Sequence, residues 1–245
     1  MGKDVEAGRP KNEGTPLLSA HAKQPPSVYD HARPEDSKVW QSFHACFFLL
    51  GGVSFILGTS LYFVWGALGL TEEVGDFWAA VLYIVGSFGF LGVDSQEFLT
   101  FTKEDKWVRI NIMCSWTGSL LYVVGSAGFL PDVFAATDGQ VGIQGFIWGS
   151  FFIGCSQLWK TWRIGSEDDG FSTKTLFRST DSSTAVGVEL SAGIGAWCFF
   201  FGTMMFWHGP QEGPFYTLIL SIWLVGSCFF TLGGCFLTWR HLNNM

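Results

Sequence analysis

Charged side chains are missing from long stretches of this chain of 245 residues. Only 14% of the residues are Asp, Glu, Lys or Arg, whereas soluble domains hold about 25%. The charges avoid six apolar stretches, each of roughly 20 residues, the length that a helix needs to cross a hydrocarbon core of about 30 Å. Few residues lie outside these six stretches. The composition therefore predicts an all-α membrane protein without a separate soluble catalytic domain.

Catalytic and cofactor motifs are also lacking. The chain has no His-Glu-x-x-His zinc pattern, no Gly-x-Ser-x-Gly nucleophile elbow and no glycine-rich phosphate loop. Its six cysteines lie in the apolar stretches, away from loops where an extracellular disulfide framework would form, and none has zinc-ligand spacing. We therefore expect no enzyme activity, no metal, no cofactor and no nucleic-acid partner.

Six transmembrane helices are predicted from the apolar stretches, arranged as three repeated helical hairpins. The predicted spans are 42–65, 77–99, 108–130, 142–163, 187–208 and 215–239. The hairpins then cover 42–99, 108–163 and 187–241. Residues 1–41 are polar and are predicted to form a disordered cytosolic tail, and 164–186 are predicted to form a cytosolic loop.

The distribution of lysine and arginine predicts the orientation in the membrane. All 14 of them lie in the tail, in or beside the two connections between hairpins, or after the last span, and the three hairpin tips hold none. The tips carry acids instead: Glu72, Glu73, Asp76, Asp132, Asp138 and Glu212. Because basic residues favour the cytosolic side, both termini are predicted to be cytosolic and the tips to lie outside or in a lumen.

Glycine positions indicate that the three hairpins are copies of one unit. The first helix of each copy has two glycines seven residues apart, the second of them followed by Thr59, Ser126 or Thr203. The second helix of each copy has a glycine followed by serine. The glycines are Gly51, Gly58 and Gly86, then Gly118, Gly125 and Gly149, then Gly195, Gly202 and Gly226.

These glycines are interpreted as helix-packing residues, because small residues let helices approach closely in lipid, and the hydroxyls can bond across the helix pair. In the alternative interpretation, the hydroxyls of Ser87, Ser150 and Ser227 line a path for an ion or substrate.

The pattern resembles the YrhK-like domain family of small membrane hairpins. The resemblance is carried by two short runs in the second hairpin and two in the third, and it covers each hairpin but neither the tail nor the loop. The runs are Trp148-Gly149-Ser150-Phe151-Phe152, Val124-Gly125-Ser126, Val225-Gly226-Ser227-Cys228-Phe229-Phe230 and Phe201-Gly202-Thr203. The resemblance implies the hairpin architecture and no catalytic residue.

Asp94 and Glu97 form the most polar patch in any predicted span. They are three residues apart on one helical face, in the cytosolic third of the second span. Ionisable groups inside a membrane usually mark a functional site, so the pair is a candidate ion or proton site. In the alternative interpretation, the second span ends before residue 99, the predicted boundary. Both acids then lie at the level of the lipid headgroups, near Lys103 and Lys106.

A candidate sorting signal lies in the tail. Glu13 precedes the pair Leu17 and Leu18 by four residues, as in acidic dileucine signals read by sorting adaptors. This signal favours an endosomal, lysosomal or vacuolar membrane, with the plasma membrane as the alternative. The partners expected are the lipid bilayer, such adaptors and further copies of the chain in a homo-oligomer.

Two classes of function remain from the sequence. The first is a non-enzymatic structural, interaction or regulatory membrane protein, favoured by the missing motifs. The second is a small transporter or channel for a solute, an ion or protons, in which Asp94 and Glu97 take part.

Overall fold

The computed structural model describes residues 37–101, 105–167, 170–210 and 212–243. Most of these residues belong to six long helices, joined by two short helices and a small antiparallel pair of strands. The elements are α1 (Lys38–Val64), α2 (Glu72–Thr100), α3 (Lys106–Gly128), α4 (Pro131–Thr137), α5 (Gln140–Gly165), β1 (Ser166–Glu167), β2 (Gly170–Phe171), α6 (Thr173–Leu176), α7 (Thr180–His208) and α8 (Gly213–Asn243). The protein is all-α, as predicted.

Polar side chains cap the beginnings of α2 and α7. The hydroxyl of Thr71 accepts a hydrogen bond from the backbone N–H of Val74 at 3.4 Å, and that of Ser179 accepts one from Ser182 at 3.0 Å. Each bond satisfies a backbone donor that the first helical turn leaves free. Between α4 and α5 the backbone reverses at Gly139, whose φ of 69° suits a residue without a side chain.

Five of the six long helices are long and apolar enough to cross a membrane: α1, α2, α3, α7 and α8. Helix α5 has 26 residues but is not among them. Two glutamines, Gln144 and Gln157, lower its mean hydropathy. The described residues thus support a multi-pass membrane protein, whereas the sixth span and the repeat of hairpins stay predictions.

Two predicted boundaries differ from the structure. Helix α1 begins at Lys38, inside the segment predicted as tail, because Trp40 and Gln41 already pack against the bundle, where Trp40 donates a hydrogen bond to Thr100 at 2.9 Å. The predicted loop 164–186 is partly helical, since it contains α6 and the first turns of α7. Buried residues such as Val186 hold those turns in place.

The six long helices form a closed ring. Each packs against the next in the order α1, α2, α3, α5, α7 and α8, and α8 packs against α1. Contacts between α1 and α8 close the ring between helices at opposite ends of the chain, for example where Gly52 meets the backbone of Thr231. The interior of the protein is the axis of this ring.

Glycines bring consecutive helices of the ring into backbone contact. A Cβ added at Gly86 would lie 2.9 Å from the carbonyl oxygen of Gly51, and one at Gly149 would lie 2.9 Å from that of Gly118. The same holds for a Cβ at Gly226, at 3.0 Å from the carbonyl oxygen of Gly195. Glycines at corresponding sequence positions therefore form the same contact in α1–α2, α3–α5 and α7–α8.

Aromatic rings fill the axis of the bundle. Phe55, Tyr122 and Phe199, which follow Gly51, Gly118 and Gly195 by four residues each, are completely buried, and their ring centroids lie 5.3–6.2 Å apart. Further buried rings lie above and below this triad: Tyr83, Phe90, Phe146, Trp223 and Phe230. Because these rings are in contact with one another, the axis at this level is a packed core.

The buried hydroxyls pair both within a helix pair, as the sequence suggested, and between neighbouring pairs. Within pairs, Thr59 of α1 bonds the Tyr83 hydroxyl of α2 at 2.8 Å, and Ser150 of α5 bonds the Tyr122 hydroxyl of α3 at 2.8 Å. Between pairs, Ser87 of α2 bonds Ser126 of α3 at 2.8 Å, and Thr59 also lies 3.3 Å from Ser227 of α8. The hydroxyls thus join neighbouring pairs in addition to the two helices within a pair.

Replacing Gly149 by alanine is expected to destabilise the protein by about 1–3 kcal/mol, because the new methyl group would overlap the Gly118 carbonyl and the Tyr122 ring. Unfolding of the purified protein in detergent measures the loss. The matched control is Gly66→Ala, at a glycine with no neighbouring atom within 4 Å. Equal stability of the two variants would contradict the proposed role of the glycine contact.

Candidate functional site

Buried polar residues gather at one end of the ring. They come from the beginnings of α1, α3 and α7 and from the ends of α2, α5 and α8, which meet because consecutive long helices alternate in direction. This is the end at which the lysines and arginines of the sequence accumulate. The buried residues include Gln41, His44, Asp94, Asn111, Ser115, Ser119, Ser156 and Gln157.

Four ionisable side chains from four helices form a connected cluster, here called the charge network: His44 (α1), Glu97 (α2), Lys160 (α5) and Glu189 (α7). The Lys160 ammonium lies 3.1 Å from Oε2 of Glu97 and 3.9 Å from Glu189. The other oxygen of Glu97 lies 3.4 Å from Nε2 of His44. Their side chains are between 7% and 17% exposed, so water screens these charges little.

Asp94 lies one helical turn before Glu97 and is 6% exposed. Its two carboxylate oxygens accept hydrogen bonds from two hydroxyls of α3, one from Ser115 at 2.7 Å and one from Ser119. These serines are spaced four residues apart, so both hydroxyls project from the same face of α3. The carboxylate is thereby held between α2 and α3 by neutral donors rather than by a cation.

The charge balance of this end of the bundle is uneven. Asp94, Glu97 and Glu189 supply three carboxylates, and Lys160 is the cation that contacts two of them. Removing an ion from water costs several kcal/mol unless charges of opposite sign compensate it. The uneven balance favours the uptake of a positive charge, either a proton or a small cation.

The chemistry available to the site is therefore proton or cation binding. Carboxylate and hydroxyl oxygens are the ligands that hard cations prefer. Among the described residues, no group of three or more His, Cys, Asp and Glu side chains is placed to hold a metal ion. A proton needs no such ligand set, because one carboxylate or imidazole suffices to carry it.

The sequence named two members of this site and missed the others. Asp94 and Glu97 were the candidate pair, and the structure places both inside the bundle, with Lys160 as the cation next to Glu97. The sequence interpretation had instead considered Lys103, which lies outside the described residues, and Lys106. His44 and Glu189 are members that the sequence did not indicate.

One sequence signal pointed to Lys160. Lys160 follows Gly149 by the same eleven residues that separate Glu97 from Gly86, so an acid and a base occupy corresponding positions in two hairpins of the predicted repeat. Opposite charges at one level of neighbouring hairpins favour an ion pair between them. Glu13, Leu17 and Leu18 of the candidate sorting signal lie outside the described residues.

Comparisons with protein-family models, with curated proteins and with solved structures give no match to this chain. The assignment of a function therefore depends on the geometry of the bundle and of the charge network.

Replacing Lys160 by methionine is expected to destabilise the protein by about 3–5 kcal/mol, because Glu97 and Glu189 would stay buried without their cation. Denaturant unfolding in detergent measures the change, with the exposed Lys106→Met as control. Adding Glu97→Gln to the Lys160→Met variant should restore part of the loss. The role given to the ion pair is wrong if Lys160→Met is as stable as Lys106→Met.

Proposed function

We propose that the protein is a non-enzymatic integral membrane protein that acts through its surfaces as a structural, interaction or regulatory component. The observation that carries this proposal is the closed ring of six long helices whose axis is filled by the triad of Phe55, Tyr122 and Phe199. Rings in contact at 5.3–6.2 Å occupy the space that a substrate chamber or an open pore would need. What the bundle offers to partners is its outer surface, its tail and its loops.

In this proposal, α5 is the sixth transmembrane helix. It packs between α3 and α7, both of which are long and apolar enough to span a membrane. With 26 residues at about 1.5 Å per residue it has the length of its neighbours. Since Gln157 is buried within the bundle, this polar side chain does not face lipid.

We also propose that the six helices are three copies of a YrhK-like hairpin. The support is that residues at corresponding positions of the three hairpins form the same contacts, namely the three glycine pairs and the aromatic triad. The basic ends of the helices favour cytosolic termini. The dileucine motif of the tail favours sorting to an endosomal, lysosomal or vacuolar membrane, with the plasma membrane as the alternative.

Epitope tags inserted into the connections test the topology. Tags at 132–140 and at 209–214 are expected to be protected from cytosolic protease, and a tag within 170–179 is expected to be cleaved. The physical reason is the segregation of Lys and Arg to one side. The proposed six-span topology is wrong if the tag at 132–140 is reached from the cytosol.

A second candidate function is ion or proton transport, which the charge network favours. Buried carboxylates with an unbalanced charge are typical of proton and cation pathways in membranes. In this candidate, Asp94 and Glu97 carry the ion, and the aromatic axis must rearrange to let it pass.

A flux assay in reconstituted vesicles tests the second candidate. If the chain conducts protons or cations, Asp94→Asn and Glu97→Gln are expected to reduce the flux by at least about tenfold, because a neutral amide cannot carry the charge. Asp132→Asn at a hairpin tip is the control and should leave the flux unchanged. A protein-dependent flux that survives both substitutions would exclude these two residues as the ion site.

A further inference from the structure

Two histidines meet where the ring of helices closes. His44 lies in the second turn of α1 and His241 in the last turn of α8, and Nδ1 of His44 is 3.3 Å from Nε2 of His241. One of these two nitrogens must carry a hydrogen for the bond to form. The pair is thus a place where a proton is held between α1 and α8.

The second nitrogen of His44 faces a carboxylate. Nε2 of His44 lies 3.4 Å from Glu97, and the centroid of its ring lies 5.5 Å from that of His241. The hydrogen between Nδ1 of His44 and Nε2 of His241 can belong to either ring, and Nε2 of His44 is buried without a hydrogen-bond partner among the described residues. As an imidazolium, His44 has an N–H on each nitrogen and can donate to both Glu97 and His241.

A tryptophan covers the face of His44. The ring of Trp40 stacks on the imidazole, with centroids 4.6 Å apart and planes inclined by 27°. The face of an indole attracts a cation. Trp40 is itself held in place, because its indole N–H donates to Thr100 at 2.9 Å and its carbonyl accepts from Gln96 at 2.9 Å.

Charged and titratable groups contact His44 or belong to the network that it joins. Glu97 on α2 and His241 on α8 contact His44 directly, and Lys160 on α5 and Glu189 on α7 follow through Glu97. Asp94 lies one turn before Glu97, and Arg240, next to His241 in the chain, is paired with Asp181 of α7 at 2.8 Å. One positive charge on His44 reduces the excess of buried carboxylates. A second one on His241 would place two cations 3.3 Å apart, and they would repel each other.

We propose that Trp40, His44, Glu97 and His241 form a proton-binding site at the α1–α8 contact, in which His44 carries one proton as an imidazolium between Glu97 and His241. Acidification adds a second proton, to His241, and the repulsion separates the last turn of α8 from α1. The site goes beyond the proposed function and is independent of transport. It stands whether or not an ion crosses the membrane.

Nitrogen-15 NMR of the full chain in lipid nanodiscs, labelled at its five histidines, tests the proton positions. Histidine substitutions, each to Gln, assign the signals. Near neutral pH, His44 is expected to show two protonated nitrogens and His241 one. The proposal is overturned if His44 is neutral while His241 is charged, or if each titrates without regard to the other.

One variant tests whether Glu97 is the cause of the charge on His44. Glu97→Gln is expected to leave His44 with fewer protonated nitrogens than in the parent, because the carboxylate that stabilises its charge is gone. His208 provides the matched control, since it also stacks on a tryptophan, Trp207, at 4.6 Å but is exposed at the opposite end. Its titration should be the same in Glu97→Gln as in the parent, and a change confined to His208 would contradict the proposal.

Hydrogen exchange of the α8 terminus tests the structural consequence. On acidification below about pH 5, after correction for the intrinsic pH dependence, amides of 236–243 are expected to exchange at least about tenfold faster in the parent. His241→Gln cannot take up the second proton and should show no such increase. Equal acceleration in both proteins would show that His241 does not drive the separation.

Discussion

The close approach of helix backbones at glycine is the constraint on which the rest of the bundle depends. Lipid tails are as apolar as leucine, so burying apolar side chains gives little force to hold helices together, and van der Waals contact must supply it. Gly51 with Gly86, Gly118 with Gly149, and Gly195 with Gly226 provide that contact. One turn further along, each first helix can then place Phe55, Tyr122 or Phe199 on the axis, where the three rings meet.

The charge network restricts which helices can pack together, whereas the aromatic core does not. Apolar rings fit against several neighbours, whereas Lys160 is stabilised only where it can reach the carboxylates of both α2 and α7. A buried ion pair adds little net stability, but one left without its partner is costly. We interpret the network as fixing which helices face one another at this end of the bundle, with Asp94 positioned separately by two hydroxyls of α3.

Departures from the proposed repeat of three hairpins mark the places where the hairpins differ in chemistry. Positions that correspond in the proposed repeat hold Glu97, Lys160 and Leu237, so the ion pair joins the first two hairpins and the third supplies a buried apolar side chain. Thr203 is a second departure. Its hydroxyl is buried without a hydrogen-bond partner among the described residues, although the corresponding Thr59 bonds Tyr83 at 2.8 Å.

The sequence by itself determined the helical class, the approximate helix positions and the glycine pattern, because the absence of charge and the spacing of small residues are local properties. It also found Asp94 and Glu97, since acids stand out in an apolar span. Only the tertiary structure decided the order of helices around the ring and the partners of those acids. His44, Lys160 and Glu189 come from helices far apart in the chain, and a charge in a sequence does not specify which distant charge will neutralise it.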